Sequence, residues 1–132
     1  MSAKTPRVAD AELAVLDVLW KHGPETIRQV MERLYPAGTT SDYATVQKLM
    51  ERLERKRCVS RDRGAMAHIF TATVGPGEIV GQRLQEVAQQ LCEGSLTPLL
   101  MHLVRSTRLK PQERAELRKL FDESARSKKA GR

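Results

Sequence analysis

The 132-residue chain is poor in the groups that most chemistry needs. It has two cysteines, Cys58 and Cys92, far apart and without C-x-x-C spacing, which excludes a disulfide framework and a thioredoxin-like site. Both read as small buried hydrophobes rather than sensors, one at the start of a strand and one near a helix end. Its three histidines, His22, His68 and His102, share no ligand spacing with each other or with Asp and Glu, so no metal is expected. Gly-rich phosphate loops, nucleophile–base constellations and paired-carboxylate motifs are missing, so neither an enzyme nor a cofactor is expected. No apolar run approaches the roughly 20 residues that cross a bilayer, and the short charged start lacks a signal peptide's apolar segment. The expectation is a soluble cytoplasmic protein.

What is present is positive charge. Lys and Arg number 23 against 16 Asp and Glu, a formal net charge of +7, with a pI near 9.8. With 40% hydrophobic and 30% charged residues, the chain is neither disordered nor membrane-embedded. Its length suits one domain or one and a half, burying roughly two-thirds of the unfolded surface. The charge is uneven: residues 1–47 carry net −1, residues 48–63 carry +4 and residues 64–132 carry +4. The last surplus equals the four cations of residues 126–132, whose composition is that of a solvated tail. The surplus at 48–63 instead follows a patterned helix.

Residues 11–21 place Leu13, Leu16, Leu19 and Trp20 at near-helical spacing, with Asp10, Glu12 and Asp17 on the polar side. His22-Gly23-Pro24 stops that helix. Thr26 and Gln29 form a capping box for a second, whose Ile27, Val30, Met31 and Leu34 fall at i, i+3, i+4 and i+7. A third helix is expected to start at Ser41 or Asp42 and to run to about Lys56, with an apolar stripe of Val46, Leu49, Met50 and Leu53. Residues 58–61 and 68–74 read as strands joined by a turn around Gly64. Gly75-Pro76-Gly77 marks a boundary, and beyond it everything reads as helix. One helix ends near Gly94, a second opens at Ser95 or Thr97 with Pro98 in its first turn, and a third opens at Pro111.

Three short helices followed by a hairpin is the order of a winged helix-turn-helix module. The stripe of the third helix would hold it on the first two, leaving Tyr43, Ala44, Thr45, Gln47 and Lys48 free to read bases in a major groove. Gln suits adenine, Lys suits guanine, and the Thr45 methyl or Ala44 suits a thymine methyl. Arg52, Arg55, Lys56 and Arg57 at its C-terminal end, and Arg61 and Arg63 beside the hairpin tip, suit phosphates or a minor groove.

The residues also carry a resemblance. AELAVLDVLW, TIRQVMERL, YATVQKLMERLERK, HIFTA and the region beginning GSL resemble the penicillinase-repressor (BlaI/MecI type) family of winged-helix transcriptional regulators, up to about residue 125. The resemblance implies a homodimer that represses transcription by binding a palindromic double-stranded DNA operator. It matches Ala44, Thr45 and Lys48 to base-contact positions. Related regulators usually have Gly where this chain has Arg57, and an Arg after the wing glycine where this chain has Ala65-Met66-Ala67. A membrane sensor peptidase is the partner of the best-known members and triggers scission of an Asn-Phe bond. The aligned position holds His102-Leu103, so cleavage-based induction does not carry over. The cysteine pair of copper-responsive relatives is also missing.

The expected architecture is mainly α: a winged helix-turn-helix domain with a β-hairpin wing (1–75), a three-helix dimerisation domain (76–125) and a disordered basic tail (126–132). Dimerisation also follows from the residues. About 55 residues of helix cannot bury Val80, Leu84, Val87, Leu91, Leu96, Leu99, Leu100, Leu103, Leu117, Leu120 and Phe121 alone. The alternative is a non-catalytic interaction module, its C-terminal helices binding another protein and its basic patch holding nucleic acid loosely.

Overall fold

The computed structural model describes residues 7–64 and 66–130. Helices α1 (Asp10–His22), α2 (Ile27–Leu34) and α3 (Thr40–Arg55) are followed by β1 (Val59–Asp62) and β2 (Ile69–Ala72). Helices α4 (Pro76–Leu91), α5 (Thr97–Ser106) and α6 (Pro111–Ala130) complete the order. The chain divides into two compact units after Leu84, inside α4 and not at the Gly75-Pro76-Gly77 punctuation.

In the first unit α1, α2 and α3 pack on one another, β1 lies on α3 and β2 on α1. One core holds them together: Val15, Leu16, Val18 and Leu19 from α1, Val30 and Met31 from α2, and Val46, Leu49, Met50 and Leu53 from α3. Val8, Cys58, Val59, Phe70 and Ile79 complete it. Burial pushes the Cys58 thiol up, which keeps it protonated and inert. Trp20 packs against the core and ties it to the chain beyond the hairpin, its Nε1 donating to the Val74 carbonyl at 2.8 Å. The hairpin is antiparallel, pairing Val59 with Ala72 and Arg61 with Phe70. Phe70 also exchanges both backbone hydrogen bonds with Glu25, N to O 2.9 and 3.1 Å. The wing is thereby anchored to the turn before α2.

Local chemistry explains the helix ends. Gly23, at φ 83°, closes α1 with its N–H on the Leu19 carbonyl. The Thr26–Gln29 box is formed in both directions, at 2.9 and 3.2 Å. Helix α3 starts earlier than Ser41 because Thr39 and Asp42 make a second reciprocal box, both bonds 3.1 Å. Helix α5 opens at Thr97, one of the two expected starts, with Leu96 at the N-cap position, Pro98 in the first turn and the Ser95 hydroxyl accepting from the Thr97 N–H at 3.3 Å.

Glu12 departs from the expected polar face of α1, being 1% exposed. Its Oε1 accepts from the Ala9 N–H at 2.8 Å and from Lys56 Nζ at 2.6 Å, and Lys56 also donates to the Arg7 carbonyl. Burial raises the Glu12 pKa. The Lys56 and Ala9 hydrogen bonds, with the charges of Lys56 and Arg52, outweigh it and leave the carboxyl below its ordinary value. Such a group stabilises the fold above its unfolded-state pKa, and that stabilisation is lost as pH falls through its folded-state value. Lys56→Met removes both the hydrogen bond and the charge of Lys56, so the folded carboxyl's pKa moves upward, with burial opposed only by the Ala9 hydrogen bond and the Arg52 charge. We expect this variant to lose about 2–3 kcal/mol at neutral pH, less than the 3–5 of a fully buried pair. Urea titrations at several pH values check this: the part of the wild type's stability that is lost on acidification should be smaller in Lys56→Met.

The second unit has a different character. Ala88 is its single buried residue among the described ones, while Leu91, Leu103, Val104, Leu120 and Phe121 are each at least half exposed. A groove of about 540 Å³ runs between α5 and α6, lined by Leu100, Leu103, Val104, Leu109, Leu117, Leu120 and Phe121. Helix α6 runs to Ala130, through residues expected to be a disordered tail; Gly131 and Arg132 lie outside the described residues. No helix among the described residues is long and apolar enough to cross a membrane.

Candidate nucleic-acid interface

Helix α3 sorts its residues by the 3.6 period. Val46, Leu49, Met50 and Leu53 are buried, which turns Tyr43, Ala44, Thr45, Gln47 and Lys48 outward, all exposed. Thr45 Oγ1 donates to the Ser41 carbonyl at 3.0 Å, so its hydroxyl is engaged within the helix. Arg52, Arg55 and Arg57 are exposed toward the C-terminal end, and Arg63 is exposed on the wing. The expected base-reading residues and most of the expected phosphate contacts therefore share accessible surface.

Two expected phosphate contacts have internal work instead. Lys56 is held by Glu12 and the Arg7 carbonyl. Arg61 lies over the Phe70 ring, 4.8 Å from its centroid, and donates to Glu54 Oε1 at 2.9 Å and to His68 Nδ1 at 3.0 Å. Conversely, the pattern gave no hint of Arg28 and His68. Both line a cleft of about 410 Å³ with Thr26, Ile27, Tyr43, Gln47, Arg61 and Ala67. The wing-tip residue Ala65 lies outside the described residues, and its neighbour Met66 is fully exposed.

Arg57 resolves the question raised by the missing glycine. It adopts φ 62° and completes a Schellman ending, with Cys58 N–H on the Leu53 carbonyl at 2.8 Å and its own N–H on that of Glu54 at 3.0 Å. Thr73 Oγ1 donates to its carbonyl at 2.8 Å, which helps fix the turn. A left-handed side-chain-bearing residue costs about 1–2 kcal/mol, and a glycine gives back about 0.4–1 through its unfolded-state freedom. Arg57→Gly should thus gain about 0.5–1 kcal/mol in urea denaturation. The same variant tests the expected phosphate contact of Arg57, whose loss would flatten the salt dependence of DNA binding by about 0.9 in log–log slope.

A three-helix core, an outward-facing third helix bearing Gln47 and Lys48, and a hairpin beside it define the N-terminal unit as a winged helix-turn-helix domain. Residues 8–123 match the family profile described as penicillinase repressor. The chain belongs to the penicillinase repressor family. It is similar to a "Penicillinase repressor" from Bacillus licheniformis, 24% identical over 126 residues that cover 96% of this chain and 98% of the relative. It is also similar to a "Transcriptional regulator BlaI" from Mycobacterium tuberculosis, 38% identical over 104 residues, 77% of this chain and 75% of the relative. Among solved structures, the solution structure of the DNA binding domain of the repressor BlaI matches 58% of this chain and 93% of its own. The TM-score there is 0.49 and the identity 27%.

Proposed function

We propose that the chain is a DNA-binding transcriptional repressor, and that two copies pair through their C-terminal helices to occupy a palindromic operator. The observation that carries the DNA reading is the division of α3: a fully buried apolar stripe on one side, and Gln47 and Lys48 exposed on the other with Arg52, Arg55 and Arg57 following. A helix held that rigidly can enter a major groove without rearranging. Family membership supports the same reading.

Pairing rests on the second unit. Exposed leucines, Val104 and Phe121 along α5 and α6 make an apolar surface that a lone copy leaves in water. A second copy would cover it isologously and present two reading helices related by a two-fold axis. Scission at the His102-Leu103 position by a partner peptidase finds no support, since that pair lies within α5 and lacks the Asn-Phe sequence.

Selection of bound duplexes from a random DNA pool tests the proposal. The expected outcome is an inverted repeat whose half-site centres lie about 10–10.5 bp apart or a multiple of it. Recovery of no common sequence would overturn the repressor reading, and a single unrepeated site would overturn the paired one.

A further inference from the structure

The cleft between α2, α3 and the wing joins two residues of the base-reading face, Tyr43 and Gln47, to Arg28, Arg61 and His68 outside it. Arg28 from α2, Tyr43 and Gln47 from α3, and Arg61 and His68 from the hairpin line it. Since Gln47 belongs to the reading face, the cleft opens beside the bases that this residue would meet. Arg61 is the arginine in the hairpin's half of the cleft, and both its Nη atoms are engaged internally while its buried Nε has no hydrogen-bond partner. Its side chain is 19% exposed, its plane covers Phe70, and its Nη atoms donate to Glu54 and His68. Arginine has no acceptor, so His68 Nδ1 must accept, and the imidazole is the neutral tautomer with its proton on Nε2. The contact thus turns an exposed histidine into a donor of fixed identity.

We propose that this cleft grips one phosphate of the bound DNA, with Arg28 supplying the charge, His68 Nε2–H a neutral hydrogen bond, and Arg61 acting as the positioning residue for His68. The proposal deepens the DNA-binding reading and rests on it. Glu54 completes the set: its carboxylate neutralises Arg61, so the guanidinium orients the imidazole without itself competing for the phosphate. The three side chains therefore have separable signatures, because only a cation that replaces counterions changes the salt dependence of binding.

The test is fluorescence anisotropy of the full chain on its selected operator across a salt series, comparing wild type, Arg28→Ala, His68→Ala, Arg61→Ala and the His68→Ala/Arg61→Ala pair. Arg28→Ala should lower the log–log slope by about 0.9. His68→Ala and Arg61→Ala should each weaken binding about tenfold, as for a lost hydrogen bond to a charged group, with the slope unchanged. The pair should cost no more than His68→Ala alone. A long-range ¹H–¹⁵N spectrum of the free protein should show His68 protonated on Nε2 in the wild type and a tautomer mixture in Arg61→Ala. A slope reduced by about 0.9 in Arg61→Ala would mean that Arg61 itself meets the phosphate and would overturn the proposal. Unchanged affinity in Arg28→Ala and His68→Ala, with the wild type binding normally, would overturn the clamp alone. A wild type that binds no duplex would overturn the DNA reading and the clamp with it.

Discussion

The Gln47→Ala/Lys48→Ala double variant loses its preference for the operator over scrambled DNA while keeping most of its salt-sensitive affinity for any duplex. Both side chains are exposed on α3, opposite a stripe that is fully buried. A bidentate contact to a base edge is worth about 1–3 kcal/mol of discrimination, so two together amount to about 2–6 kcal/mol, or roughly 30-fold to 10⁴-fold. The background persists because Arg52, Arg55, Arg57 and Arg63 remain exposed to bind phosphates. Stability should stay within about 0.5 kcal/mol, since neither residue is packed and alanine favours helix. Anisotropy titrations on both duplexes at one salt concentration measure the ratio. A ratio equal to the wild type's would place sequence recognition somewhere other than α3.

Phe70→Ala acts on the fold instead, and heavily. Phe70 is fully buried, and three separate features meet at it: strand pairing with Arg61, the backbone exchange with Glu25, and the Arg61 guanidinium over its ring. Removing a buried phenyl group costs about 3–5 kcal/mol, a large share of the about 5–15 kcal/mol that holds a domain folded. Loss of the ring also removes the surface on which Arg61 lies, leaving it held by Glu54 and His68 alone. Urea denaturation should show the full loss, whereas the exposed neighbour Thr71→Ala should change stability by no more than about 0.5 kcal/mol. A loss below 1 kcal/mol would mean that the wing is not built on this core.

Much of this was legible in the sequence, and the exceptions share a cause. Helix order, the Thr26–Gln29 box, the α3 stripe and the hairpin follow from periods and turn residues a few positions apart, and local rules govern them. The start of α3 obeys one such rule: Thr39 and Asp42 satisfy the same box pattern as Thr26 and Gln29, and the cap character of Ser41 masks it. Glu12 reads as a solvent-facing residue because its partner, Lys56, lies 44 residues away. Charge alone made Lys56 and Arg61 look like phosphate contacts, and only the folded chain brings them to Glu12, Glu54, Phe70 and His68. Nothing local marks Arg28 and His68, since the cleft that joins them is assembled from three elements. The exposed apolar faces of α5 and α6 were readable as stripes, because a helix's period shows which side seeks cover, whatever supplies it.

In the proposed repressor, two copies present two reading helices in fixed register to one operator. Titration of the full chain onto three duplexes tests it most directly: the selected operator, the same duplex with one half scrambled, and one with about 5 bp inserted between the halves, half a helical turn. Scrambling and insertion should each cost about 10²-fold or more, the linked second contact being lost in both. Equal affinity for all three duplexes would contradict it.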